Sequence, residues 1–176
     1  MQKNLLLIAS ITAVFWLPIS HAGEPYAPKV DVPENVDQNS PQYMSVMIIN
    51  AAQVPDKSVV EIPSYPGAKV FQTKNASEMT ANDKTYKTFA YIKLLSTDPP
   101  DKIVAWYKNQ LKGYTYEDVF GVAWVFWKGE GTFNGMDIRQ RMTIQNVGIS
   151  EAIAAMGYDE NMKGAKSVIE VTYEPK

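Results

Sequence analysis

Glu117, Asp118, Glu130 and Asp137 flank the aromatic run Phe120 to Trp127, and that pairing has a chemistry. Two carboxylates can hydrolyse a glycosidic bond, one as general acid and the other as base or nucleophile, while indole faces stack on the sugar. A rim of acids is also the ordinary state of solvated loops, and a domain of this size has little room for a glycan cleft. Most other catalytic chemistry is excluded by composition. The only histidine is His21, and there is no cysteine. Neither a Ser-His-Asp triad nor a structural zinc site can be assembled downstream of it. No serine has lysine three residues later, and no glycine-rich phosphate or dinucleotide motif occurs.

Asp159, Asn161, Gly164 and Glu170 have the spacing of a calcium loop. Lys163, however, stands where an oxygen ligand is required, and its ammonium would repel the ion. Glu170 also falls inside a well-patterned strand. The segment reads as a polar turn into that strand, with no metal and no cofactor expected.

The strongest hint of function is the aromatic run itself. As a strand from Val119 to Lys128, it places Val122, Trp124 and Phe126 on one side and Ala123, Val125 and Trp127 on the other. Both faces are then apolar, whereas a sheet covered on one side shows a polar second face. Three explanations compete: burial on both faces, an exposed patch for a partner or second copy, and a groove for a lipid, peptide or glycan. Arg139 and Arg141 share the polar face of the next expected strand, Arg139 to Val147. Arginine beside tryptophan is the composition of a binding hot spot. The same arginines would also simply solubilise a strand.

The elements that must position these residues follow from pattern. Ser40-Pro41 opens a helix expected over Pro41 to Gln53, against a rival strand through the β-branched, apolar run Val46 to Ile49. Val59 to Ile62 and Ala68 to Thr73 read as short strands around the turn Ser64-Tyr65-Pro66-Gly67. Thr85 to Leu95 alternates, with Thr88, Ala90, Ile92 and Leu94 on one face. Asp98 is the expected N-cap of a helix whose stripe is Ile103, Val104, Tyr107 and Leu111, stopped at Gly113. The glycine-bearing loop Gly129 to Gly135 reads as a hairpin connection. Ser150 reads as the cap of one helical turn ending at Gly157. Ser167 to Tyr173 is the last strand. The fold class is α+β: a mostly antiparallel sheet of about five to six strands with one or two helices packed on one face.

The Tyr65-Pro66-Gly67-Ala68 turn, followed by Thr97-Asp98-Pro99-Pro100 and the helix Ile103 to Leu111, resembles a loose group of uncharacterised exported bacterial domains. The resemblance spans Val59 to Tyr173. Its motifs are turn, cap and stripe, so it supports the fold and implies no activity.

Lys3, the apolar run Leu5 to Ile19, and Ser20-His21-Ala22 together have the layout of a cleavable signal peptide over residues 1–22. Residues 23–39, with Pro25, Pro28 and Pro33, read as an extended or disordered leader, and residues 40–176 as one domain. Removing 22 residues from 176 leaves 154, with a net charge of −3 once Lys3 is gone. That balance gives no footprint for nucleic acid. The sequence therefore predicts a periplasmic or secreted, non-catalytic binding module with no stable membrane anchor. Its candidate surface is Trp124, Phe126, Trp127, Arg139 and Arg141. Its candidate partners are an envelope protein, a peptide, a lipid or a glycan, with a homodimer left open. The alternative is a small carboxylate-dependent glycan hydrolase.

Overall fold

A computed structural model describes residues 23–175, apart from residues 33, 41, 82 and 154–161. The expected signal peptide lies outside the described residues, as do Asp159, Asn161 and the end of the helical turn expected after Ser150.

Among the described residues, eight strands and three α-helices follow one another as α1 (Gln42–Ala51), β1 (Lys69–Lys74), β2 (Ser77–Ala81), β3 (Lys84–Thr88), β4 (Ala90–Ser96), α2 (Pro100–Gln110), β5 (Thr115–Val119), β6 (Ala123–Trp127), α3 (Ile138–Arg141), β7 (Asn146–Glu151) and β8 (Ser167–Tyr173). Six strands form an antiparallel sheet in the order β1-β4-β8-β7-β6-β5, and β2 and β3 form a separate hairpin. The fold is α+β, as the sequence predicts.

Alternation along each strand sorts the sheet into two faces. On the first, Phe126, Val147, Val171, Ile92 and Leu94 bury against the α2 stripe of Ile103, Val104 and Tyr107. Helix α2 starts one residue later than expected. Pro99 is its N-cap and makes no side-chain hydrogen bond. The Asp98 carboxylate instead accepts from the Tyr65 hydroxyl and from Lys102 Nζ, each at 2.8 Å. These two bonds tie the Tyr65-Pro66-Gly67 turn to the start of α2.

The Lys102 and Tyr65 hydrogen bonds hold the Asp98 carboxyl below the usual carboxylate range. Burial, and then Asp98, push the Tyr65 phenol up to about 12. A depressed acid stabilises the fold above its unfolded pKa, about 3.9 for aspartate, and stops doing so as pH falls through the folded value. The urea midpoint of the protein is therefore expected to drop as pH falls below about 4. In Asp98→Asn the midpoint should be lower at neutral pH, and its acid-dependent drop smaller. An unchanged acid slope in the variant would refute this role for Asp98.

Among the described residues, the second face is covered only at its ends. At one, α1 brings Ile49 onto Phe71, Leu95 and Val168. At the other, Trp127 and Val125 bury against Phe133 from the long β6–β7 connection. The leader residues Tyr26, Ala27 and Val30 are buried as well. Their segment runs extended beside β1, where Val30 N–H donates to Val70 O and Val70 N–H to Pro28 O.

Outside the aromatic run, four expected elements differ. Val59 to Ile62 is not a strand: Asp56 caps a 3-10 turn at Lys57–Val59 by accepting from Ser58 N–H, although Val60 and Ile62 are buried. The strand Thr85 to Leu95 is broken, because Phe89 N–H turns to Met142 O at 2.8 Å. Its alternation survives the break, with Thr88, Ala90, Ile92 and Leu94 all buried. The strand expected over Arg139 to Val147 is replaced by α3 and a later β7. Asp137 and Gln140 form a reciprocal capping box that nucleates the helix. Ser150 lies inside β7 rather than capping a helix.

Candidate functional site

The aromatic run is not one strand. Phe120 and Gly121 both take positive φ, 56° and 69°, and Val122 N–H closes a turn on Val119 O. Asp118 Oδ1 accepts from Gly121 N–H at 2.7 Å and holds that turn. The partner strand β5, which the sequence reading missed, therefore lies immediately before the turn. Its polar letters, Thr115-Tyr116-Glu117-Asp118-Val119, hide a strand because it is the sheet edge.

Burial on both faces accounts for the two apolar sides of β6. Phe126 packs against Tyr107 and Tyr116 on the α2 side, with ring centroids 6.1 and 5.1 Å away. Trp127 packs against Phe133 on the other side, at 5.7 Å. Both are almost fully buried, so neither is available as a ligand surface. Trp124 alone of the three is only partly buried, with its Nε1 directed at Asp118 Oδ2, 3.3 Å away.

Arg139 and Arg141 leave the strand with α3, and neither guanidinium lies on a tryptophan. Arg139 sits over Tyr86 of β3 at 5.3 Å and donates to Asp137 at 2.9 Å. Arg141 sits over Phe133 at 5.4 Å and donates to Met136 O and Asn134 O. The five candidate residues thus divide between core, hairpin anchor and loop brace.

The four acids also disperse. Glu117 Oε2 accepts from Phe133 N–H at 2.6 Å and from Asn134 N–H, fixing the β6–β7 connection. Asp118, its neighbour on β5, projects from the opposite face. Asp137 caps α3. Glu130 lies exposed in the loop.

What the structure brings together instead is a trench across the middle of the second face, which no other described element covers. The strand registers place Val125, Gly148, Glu170 and Lys93 side by side on β6, β7, β8 and β4. Gly148 has no side chain, so the sheet is open above it: a Cβ built there meets no atom within 4 Å. Two hollows adjoin at this point. One, of about 270 Å³, lies toward α3 and is lined by Phe89, Tyr91, Phe133, Ile138 and Met142, with Lys74 and Arg141 among its polar residues. The other, of about 320 Å³, lies toward the β5–β6 hairpin and is lined by Ala123, Ser150, Ile153 and Glu151. Glu170 lines both hollows, and Lys93 Nζ holds its carboxylate at 3.3 Å.

None of Glu117, Asp118, Glu130 and Asp137 lines either hollow. No group of three metal-capable side chains is present among the described residues. No helix among them is long and apolar enough to cross a membrane. The only sequence signal for the trench was the alternation Asn146, Gly148, Ser150 against Val147 and Ile149, small polar residues facing β-branched ones. Reading the strand seven residues too early concealed it. Compared with known proteins, the chain matches no family model, no curated protein and no solved structure.

Proposed function

We propose that this protein is an exported, non-catalytic binding module whose ligand lies in the trench above Gly148. Gly148 carries the reading. Glycine inside a strand costs stability and marks a bulge, a bend or a close approach by a ligand or another backbone. Here the register runs unbroken through Gly148 to both neighbours, and its φ is not positive. Bulge and bend are absent, and close approach remains. The apolar lining with a few polar groups is that of a small-molecule pocket, at the small end of the usual size range. Export rests on the pattern of residues 1–22.

Filling the trench tests the reading. Gly148→Val adds a β-branched side chain where nothing blocks it, so stability should stay level or rise by up to about 1 kcal/mol. Anilinonaphthalene sulfonate, an apolar fluorescent anion, should bind the native protein at one saturable site and the variant not at all. Equal dye binding by two equally folded proteins would sink the proposal. A large loss of stability in the variant would show that Gly148 answers to packing instead.

A further inference from the structure

The trench is electrically lopsided, and this gives its ligand a charge and a direction. The chain as a whole carries −2. The hollow beside α3 nevertheless has two cations, Lys74 and Arg141, and a single acid, Glu170, which Lys93 already holds. The hollow beside the β5–β6 hairpin is the reverse, with Glu151 and Glu170 against Lys93. Among the described residues the Lys74 ammonium makes no ion pair or hydrogen bond. Arg141 spends Nε on Met136 O and Nη2 on Asn134 O, which fixes the guanidinium over Phe133 and leaves Nη1 without a partner among the described residues. A guanidinium held in advance by its own loop binds an anion at little further entropic cost.

We infer that the hollow beside α3 takes a small amphipathic carboxylate, its anion at Lys74 and Arg141 and its apolar body over Val125 and Gly148. This rests on the trench being a binding site, and it adds the ligand class. The apolar walls Phe133, Ile138 and Met142 exclude a fully polar anion, since such a group would surrender its hydration without replacement. A hollow of about 270 Å³ limits the body to a short chain or a single ring system. Cationic amphiphiles with the same body meet Lys74 and Arg141 as like charges.

The experiment compares octanoate with octan-1-ol, which share an apolar chain, by titration into 15N-labelled protein. The reporters are the backbone amides of Gly148 and Arg141. Octanoate should shift both and bind at least tenfold more tightly than the alcohol. Lys74→Gln should erase most of that preference. This substitution changes an exposed residue at the end of β1, so it leaves the fold intact. Gly148→Leu should block both compounds. Equal affinity for acid and alcohol, with both blocked by Gly148→Leu, would overturn the carboxylate inference and leave the trench as the binding site. Octanoate binding that survives Gly148→Leu would overturn both readings. Absence of saturable binding by either compound would overturn the ligand class.

Discussion

Tyr107→Ala is expected to destabilise the protein by about 3–5 kcal/mol, the range of large aromatic truncations in a closed core. Tyr107 is fully buried where α2 meets the sheet. Its ring packs edge-on against Trp106 at 4.7 Å and, at 6.1 Å, against Phe126 of β6. Trp106 in turn meets Tyr65 edge-on at 5.3 Å. The Tyr107 hydroxyl donates to Pro63 O at 3.1 Å, and burial pushes the phenol well above its ordinary pKa, so the group stays neutral and the bond persists. One side chain therefore joins the helix, the central sheet and the strap before β1.

Tyr107→Phe separates the two contributions. It keeps the ring and strands Pro63 O, so it should cost about 1–2 kcal/mol, the scale of one buried acceptor left without a donor. Urea unfolding at constant slope measures both. An alanine loss below about 0.5 kcal/mol, the scale of surface changes, would mean that the ring does not bear on the core.

Helix α2 was legible in the sequence because its signals are local and agree: prolines at the start, apolar residues at helical spacing, and Gly113 at φ 85° after the end. The strands β4 and β8 were legible because they pair with each other along their whole length and bury an apolar residue at every second position, Ala90, Ile92 and Leu94 on β4 and Ile169, Val171 and Tyr173 on β8. The errors share another cause. At Asp56 and at Asp137, a short side chain bonds backbone amides one turn ahead, and this local bond outweighs β-branched or alternating neighbours. Phe89 leaves its ladder for Met142, a partner more than fifty residues away that no local pattern announces. The trench was hidden for a related reason. It is made by an absent side chain at Gly148 and by registers that align four strands, and both depend on where β7 begins.

Trp127→Ala should rival the Tyr107 loss, at about 3–5 kcal/mol, while Trp124→Ala should cost only about 1–2. Trp127 is buried beneath Phe133, Val125 and the β6–β7 connection, and it anchors the small second core on the trench face. Trp124 is only partly buried beside α2, at the edge of the main core, with its Nε1 on Asp118. Trp127→Phe sharpens the contrast. Among the described residues the buried Trp127 Nε1 has no partner, so phenylalanine removes an unsatisfied donor while keeping an aromatic ring. The loss should then stay below about 1.5 kcal/mol, far less than for alanine. If alanine and phenylalanine cost the same, the indole is not the anchor of this face.

The same pair of tryptophans guards against misreading a binding assay. Trp127→Ala would release the Phe133 wall and weaken any trench ligand without itself touching that ligand. Trp124→Ala leaves the trench unchanged, because its indole belongs to the opposite face of the sheet. Loss of dye binding in the first and retention in the second, compared at equal folded fraction, is the pattern that a trench on the Gly148 face requires.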